Sequence, residues 1–190
     1  MKDQKIVWTI GHSTRSFDEF ASLLSAFHIR HVLDIRRFPG SKKFPQFNKE
    51  ILASTLGIRG FKYTHLEDLG GRRNPMSGSK NTSWRVKAFQ GYADYMETET
   101  FKKAITKLEK IAQTEYSVFM CSEAVWWSCH RSLVSDHLKV RGWTVMHIMG
   151  KEKAQQHPYT KAATVIQGTL HYDIAPQNTD NSQAKSNQLF

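Results

Sequence analysis

The chain has 190 residues, with 27 Lys and Arg against 17 Asp and Glu, a net charge of +10, and 39% apolar and 12% aromatic residues. That length closes one core, and the aromatic content excludes a disordered chain. No apolar run reaches the roughly 18 residues of a membrane helix, the first residues do not read as a signal peptide, and two cysteines are too few for a disulfide scaffold. One domain over residues 1–175 is expected, in the cytoplasm, with both thiols reduced.

Residues 5–10 (KIVWTI) read as a strand. Ser16 and Glu19 then have capping-box spacing, and Phe17, Phe20, Leu23, Leu24 and Phe27 repeat with helical period. HVLDI (31–35) is a short apolar strand. Residues 48–56 read as a helix ended by Gly57, and FKYTHL (61–66) is a third strand. Residues 69–83, rich in Gly, Ser, Asn and Arg, form a loop long enough to suggest function. Helices are predicted over 84–96 and 99–113, and YSVFMC (116–121) is a fourth strand. A helix capped by Ser128 runs to Arg141, closed by Gly142, and WTVMHIM (143–149) is a fifth strand. A last strand is predicted over 164–173, bent at Gly168, and a polar mobile tail over 176–190. Strands alternating with helices predict an α/β domain of three layers, α/β/α, with a mostly parallel central sheet.

Charge is uneven along the chain. Residues 34–80 carry ten bases and four acids, so that quarter supplies +6 of the +10. Phe38, Phe44, Phe47 and Tyr63 are interleaved with those bases. Cations for phosphates beside rings for bases are what a nucleic-acid groove needs. A solvated basic face over a few core aromatics reads the same way.

The polar residues fall at predicted strand ends. Gly11-His12-Ser13-Thr14-Arg15 follows the first strand. Asp34 near the end of the second precedes Arg36-Arg37-Phe38-Pro39-Gly40-Ser41. His65 ends the third, followed by Glu67, Asp68, Gly70, Gly71 and Arg72. Cys121-Ser122-Glu123 ends the fourth, before Ser128-Cys129-His130-Arg131, and the fifth carries His147 near its end. In a parallel sheet these ends share one edge, where ligands bind. Five segments bringing His, Arg, Cys or carboxylate to one edge point to a site there.

Each piece has its own chemistry. The turn at Gly11–Arg15 offers backbone N–H groups to an anion, but it is neither a Walker loop nor GxGxxG, so neither ATP nor NAD is implied. A thiol beside a helix start and an Arg is a candidate nucleophile, which singles out Cys121 and Cys129. Arg131 lies ten residues after Cys121 and two after Cys129, whereas phosphatase and rhodanese loops place it six after. Cys121, Cys129 and His130 lack the usual zinc spacings, so neither metal nor cofactor is expected. Glu123, beside two tryptophans and near Arg131, is a candidate acid, base or substrate ligand, and Asp34 beside Arg36 and Arg37 invites the same reading. Trp126 and Trp127 could wall a base or sugar. His12, His65, His130 and His147 would face one edge as anion ligands.

Four ordered motifs carry a family resemblance. They are Thr9-Ile10-Gly11-His12-Ser13, Asp34-Ile35-Arg36 with Pro39 and Ser41, Tyr63-Thr64-His65-Leu66 through Leu69-Gly70-Gly71, and Cys121-x-Glu123 with Cys129-His130-Arg131. Together, over about residues 5–149, they resemble the domain-of-unknown-function family 488. The family's Asp/Pro-containing stretch before Cys-His-Arg is here Ala124-Val125-Trp126-Trp127-Ser128. The resemblance implies a compact α/β domain in a prokaryote-type cytoplasm and implies no activity.

The residues themselves predict an enzyme acting on an anionic substrate, nucleic acid or a nucleotide, by carboxylate-assisted hydrolysis that includes base removal from DNA. Asp34 and Glu123 are the candidate catalytic groups. His12, Ser13, Arg15, Arg36, Arg37, Ser41, His65, Arg72, Trp126, Trp127, His130 and Arg131 are the candidate binding groups. The alternatives are a non-catalytic nucleic-acid-binding protein and a thiol enzyme or redox sensor. Oligomeric state is not legible.

Overall fold

A computed structural model describes residues 5–173; the predicted tail over 176–190 lies outside them. In chain order the elements are β1 (Ile6–Gly11), α1 (Phe17–Ala26), β2 (His31–Asp34), α2 (Lys49–Ile58), β3 (Lys62–His65), α3 (Lys87–Met96), α4 (Glu99–Thr114), β4 (Ser117–Cys121), α5 (Arg131–Val140), β5 (Thr144–Gly150), β6 (Lys153–Gln156), β7 (Thr164–Ile166) and β8 (Thr169–His171). Short 3-10 turns occupy Pro45–Phe47, Glu67–Leu69 and Trp126–Ser128. No helix among the described residues is long and apolar enough to cross a membrane.

Six strands form one sheet in the order β3-β2-β4-β1-β5-β6. The first five are mutually parallel, and β6 returns antiparallel to β5. Apolar residues of α1 and α2 (Phe20, Leu23, Leu24, Leu52, Leu56) pack on one face against Ile10, Val32, Val118 and Met120. Residues of α3, α4 and α5 (Tyr92, Phe101, Leu108, Leu133, Leu138) pack on the other face against Val7, Leu33, Phe119 and Val145. This is the expected three-layer α/β/α architecture. The central strand β4 is buried along its whole length, as a strand covered on both faces must be.

Local chemistry sets the boundaries. Ser16 and Glu19 form the predicted capping box on α1. Helix α2 runs past Gly57, because the residue that turns left-handed is Gly60 (φ +80°). The Phe61 and Gly60 N–H groups then close on the carbonyls of Leu56 and Gly57, a Schellman stop. Helix α3 starts at Lys87 rather than residue 84. Helix α5 starts at Arg131 with His130 at its cap, not Ser128, because Cys129 is extended (φ −129°, ψ 148°) and breaks the chain between the 3-10 turn and the helix. The predicted strand over 164–173 is a hairpin: Gln167 and Gly168 both have positive φ, and β7 pairs with β8 across them. Strand β6 went unpredicted because its sequence, KAQQ, shows no apolar alternation.

Candidate functional site

Strand order creates the site. β4 sits between β2 and β1. The chain leaves β1 and β2 toward the helices of one face and leaves β4 toward α5 on the other. Connections that diverge beside the carboxyl end of β4 leave a crevice there. The β1–β4 pairing also continues past both strands, since His12 N–H donates to the Cys121 carbonyl (2.9 Å) and Ser13 N–H to that of Ser122 (2.8 Å). The Gly-His-Ser and Cys-Ser-Glu turns are thereby zipped together. Gly11 is required at this seam, because a Cβ there would lie 1.7 Å from the Glu123 carbonyl oxygen.

A cavity of about 670 Å³ opens over these ends, within the range of small-molecule sites. Of the predicted residues, His12, Ser13, Arg36, Arg37, Ser41, Arg72, Cys121, Glu123, Cys129 and His130 line it. Phe38 and Phe44 line it as well, whereas Phe47 is buried against the His12 ring (4.1 Å, stacked) and Tyr63 is tied to Asp34. Two lining residues, Ser13 (φ +51°) and Arg72 (φ +59°), hold the left-handed backbone that non-glycine residues rarely adopt. The carboxylate of Glu123 is exposed, with no hydrogen bond or ion pair among the described residues. Arg37 donates to the Arg72 carbonyl and lies over the Phe38 ring.

The remaining predicted residues do not line the cavity. Asp34 does not reach the cavity: it is fully buried and accepts four hydrogen bonds, from the Arg36 N–H (3.0 Å), Nε (2.9 Å) and Nη2 (2.6 Å) and from the Tyr63 hydroxyl (2.8 Å). Its work is to hold the Arg36 guanidinium as a fixed wall. His65 donates from Nε2 to the Arg36 carbonyl (2.8 Å), and Arg15 turns back to the Gly11 carbonyl. Arg131 is buried, donating to Thr9 Oγ1 (3.1 Å) and to the Glu123 carbonyl (2.6 Å), so it meets the main chain of Glu123 rather than its carboxylate. Trp126 stacks on His147 (4.4 Å) and Trp127 is exposed; neither lines the cavity. His147 lies within β5, buried beneath Trp126.

Burial, hydrogen bonds and neighbouring charges set the titration. The His12 pKa falls to about 4 through burial and then the neighbouring Arg36 charge, so the ring is neutral near pH 7. Its Nδ1–H donates to the Ser13 carbonyl (3.0 Å), and Nε2 faces Arg36 Nη1 (3.4 Å) as an acceptor. Cys121 and Cys129 are both buried and share one imidazole. His130 Nδ1 lies 3.9 Å from the Cys121 sulfur and 3.7 Å from that of Cys129. Burial opposes ionisation of Cys129, but the hydrogen bond with Cys121 and the charge and N–H groups of Arg131 override it and bring the pKa to about 6. Cys121, on the other side of that hydrogen bond and itself buried, is pushed up to about 12.

Several contributors had no local signal. Phe89 and Ala88, at the start of α3, reach the cavity from far along the chain. The predicted functional loop is fastened to α3: Asp94 accepts from Met76 N–H, Ser79 Oγ and Asn81 Nδ2. Thr9, Asp136 and His157 form a buried network behind Arg131. Only their final positions reveal it, although an Asp and several His in a predicted α/β core were a hint.

The molecule is thus an α/β domain with a basic, thiol- and imidazole-bearing cavity at the carboxyl edge of its parallel strands. Residues 16–138, well over half of the chain, match the family model described as Domain of unknown function DUF488, and the chain belongs to that family. The matched span begins after Gly11-His12-Ser13 and ends before β5, so it is shorter than the span of the motif resemblance. Among curated proteins and solved structures, none matches the chain.

Proposed function

We propose that the protein is a cytoplasmic hydrolase acting on an anionic substrate of the nucleotide or nucleic-acid class, with Glu123 as the general base or the stabiliser of a cationic transition state. The observation carrying this reading is the free Glu123 carboxylate in a cavity that Arg37 and Arg72 also line. A carboxylate spent on structure, such as Asp34, is saturated; Glu123 is not. The guanidiniums suit phosphate oxygens, and Phe38 and Phe44 on the same rim give faces on which a base can stack. Asp34 then acts at one remove, by holding Arg36. Removal of a base from DNA is the variant of this chemistry that asks only for a carboxylate beside stacking walls.

The test incubates the protein with nucleotides, single-stranded DNA and duplex DNA, and follows released base, phosphate and abasic product. Turnover by the wild type, lost in Glu123→Gln with binding retained, supports the proposal. Binding without turnover of any substrate leaves a nucleic-acid-binding protein. Turnover kept in Glu123→Gln but lost in Cys129→Ser moves the chemistry to the thiols. Absence of any binding overturns the substrate class.

A further inference from the structure

We infer that Cys121, Cys129 and His130 form a binding site for one zinc-class divalent cation, with a fourth coordination position open to the cavity. This goes beyond the hydrolase reading and stands whether or not the substrate is a nucleotide. The three donor atoms, two sulfurs and the imidazole Nδ1, all lie within 4.8 Å of one another. With Zn–S near 2.3 Å and Zn–N near 2.0–2.1 Å, the sulfur–nitrogen edge of a tetrahedral site is about 3.6 Å. The observed edges are 3.9 Å from Cys121 and 3.7 Å from Cys129. A small inward shift of side chains therefore closes the site around an ion.

The second observation is the far side of the imidazole. His130 Nε2 lies 3.2 Å from the Ile35 carbonyl. A carbonyl only accepts, so Nε2 carries a proton, and the nitrogen left to bind a metal is Nδ1, which faces the two sulfurs. A ligand histidine is oriented in this way, by donating its other N–H to a carbonyl or carboxylate. The ring is also seated against Gly71, where a Cβ would come within 2.8 Å of Nδ1. A side chain there would push the imidazole off the sulfurs.

The donor set selects the metal class. Two sulfurs and an imidazole favour zinc and other borderline or soft ions over magnesium or calcium, which take oxygen. Both sulfurs bind as thiolates, any remaining thiol proton passing to solvent, and the two thiolates neutralise the charge of a divalent ion. Arg36 is neutralised by Asp34 at 2.6 Å, and Arg131 directs its terminal nitrogens to Thr9 and the Glu123 carbonyl. Among the described residues no fourth His, Cys, Asp or Glu joins the group. A three-ligand set facing a cavity is the form of a metal site that keeps a position for water or substrate. Sequence spacing hid it, because Cys121 ends β4 while Cys129 and His130 lead into α5.

The test titrates Zn²⁺ into the full-length, reduced, chelator-stripped protein against a chromophoric chelator, and repeats the titration with Co²⁺. One equivalent is expected, with a thiolate-to-cobalt charge-transfer band. Cys121→Ser, Cys129→Ser and His130→Ala should each weaken binding by about 100-fold or more, as loss of a ligand exceeds the effect of losing an outer-shell partner. Should a variant misfold, the wild type still decides: Zn²⁺ should protect both thiols from alkylation. The inference is overturned if the wild type binds no Zn²⁺, if all three variants keep full affinity, or if alkylation is indifferent to the ion.

Discussion

Two polar clusters meet at Arg131, and they differ in what is left over. Behind it the network is closed. His157 donates from Nε2 to Asp136 (3.0 Å), His147 donates from Nε2 to His157 Nδ1 (2.8 Å), and Thr9 donates its hydroxyl to His147 Nδ1 (3.3 Å). Arg131 donates to the Thr9 oxygen, and Asp136 also accepts from Thr160 and Tyr172. His147 is neutral along this chain, in agreement with the depression of its pKa to about 2 by burial, His157 and Arg131. In front of Arg131 the cavity cluster is open: Glu123, Arg72 and the imidazole–thiol group face space. The same residue types are structural where their hydrogen bonds are complete and available for a ligand where they are not.

The sharpest way to break that contrast is to remove the acceptor at the end of the closed chain. Asp136→Ala strands the His157 and Thr160 donors and the Tyr172 hydroxyl in a buried site. The expected loss is about 3 kcal/mol or more, since several buried donors lose their acceptor at about 1–3 kcal/mol each, read by urea unfolding. A loss below about 1 kcal/mol would mean that the network does not hold the fold. In the open cluster, Glu123→Gln should leave stability within about 0.5 kcal/mol, while lowering turnover by about 10²–10⁴-fold if the carboxylate moves a proton.

How far the sequence carried this contrast follows from the range of its signals. Helix α1 was legible because Ser16, Glu19 and the Phe17–Phe27 stripe are local features. The shared edge was legible because polar residues follow each parallel strand. The role of Asp34 was not, since only its contacts with Arg36 and Tyr63 show it to be saturated. Trp126 looked like a cavity wall until its stacking on His147 placed it on the closed side. Cys121, Cys129 and His130 converge through the break at Cys129, which no propensity announces.

Acidification sharpens the comparison through two histidines, one per cluster. His12 and His147 are neutral when folded, with pKa values depressed to about 4 and about 2, against an ordinary 6.5. Below pH 6.5 the unfolded chain takes up a proton at each and the folded chain does not. Stability is therefore full above that pH and falls on acidification, by at most about 1.4 kcal/mol per pH unit for each group. The fall ends near pH 4 for His12 and continues lower for His147. Imidazole resonances should show His12 titrating near pH 4 in folded protein and His147 titrating only on unfolding. A His147 that titrates near 6.5 in the folded state would open the closed cluster.

The smallest expected effect lies at the rim, in Arg72→Gly. Arg72 holds φ +59°, a conformation that costs an ordinary residue about 1–2 kcal/mol and glycine almost nothing. Glycine gives back part of that gain by loosening the unfolded chain, about 0.5–1 kcal/mol. The net change in stability should thus be neutral or favourable, by up to about 1 kcal/mol. Binding of a polyanion should move the other way, weakening evenly across sequences, with the salt slope reduced by about one. A variant more stable yet poorer at binding is what an open cluster predicts, because the backbone there is held for a ligand rather than for the fold. If Arg72→Gly instead destabilises by more than about 1 kcal/mol with an unchanged salt slope, Arg72 belongs with Arg131 among the groups that build the wall.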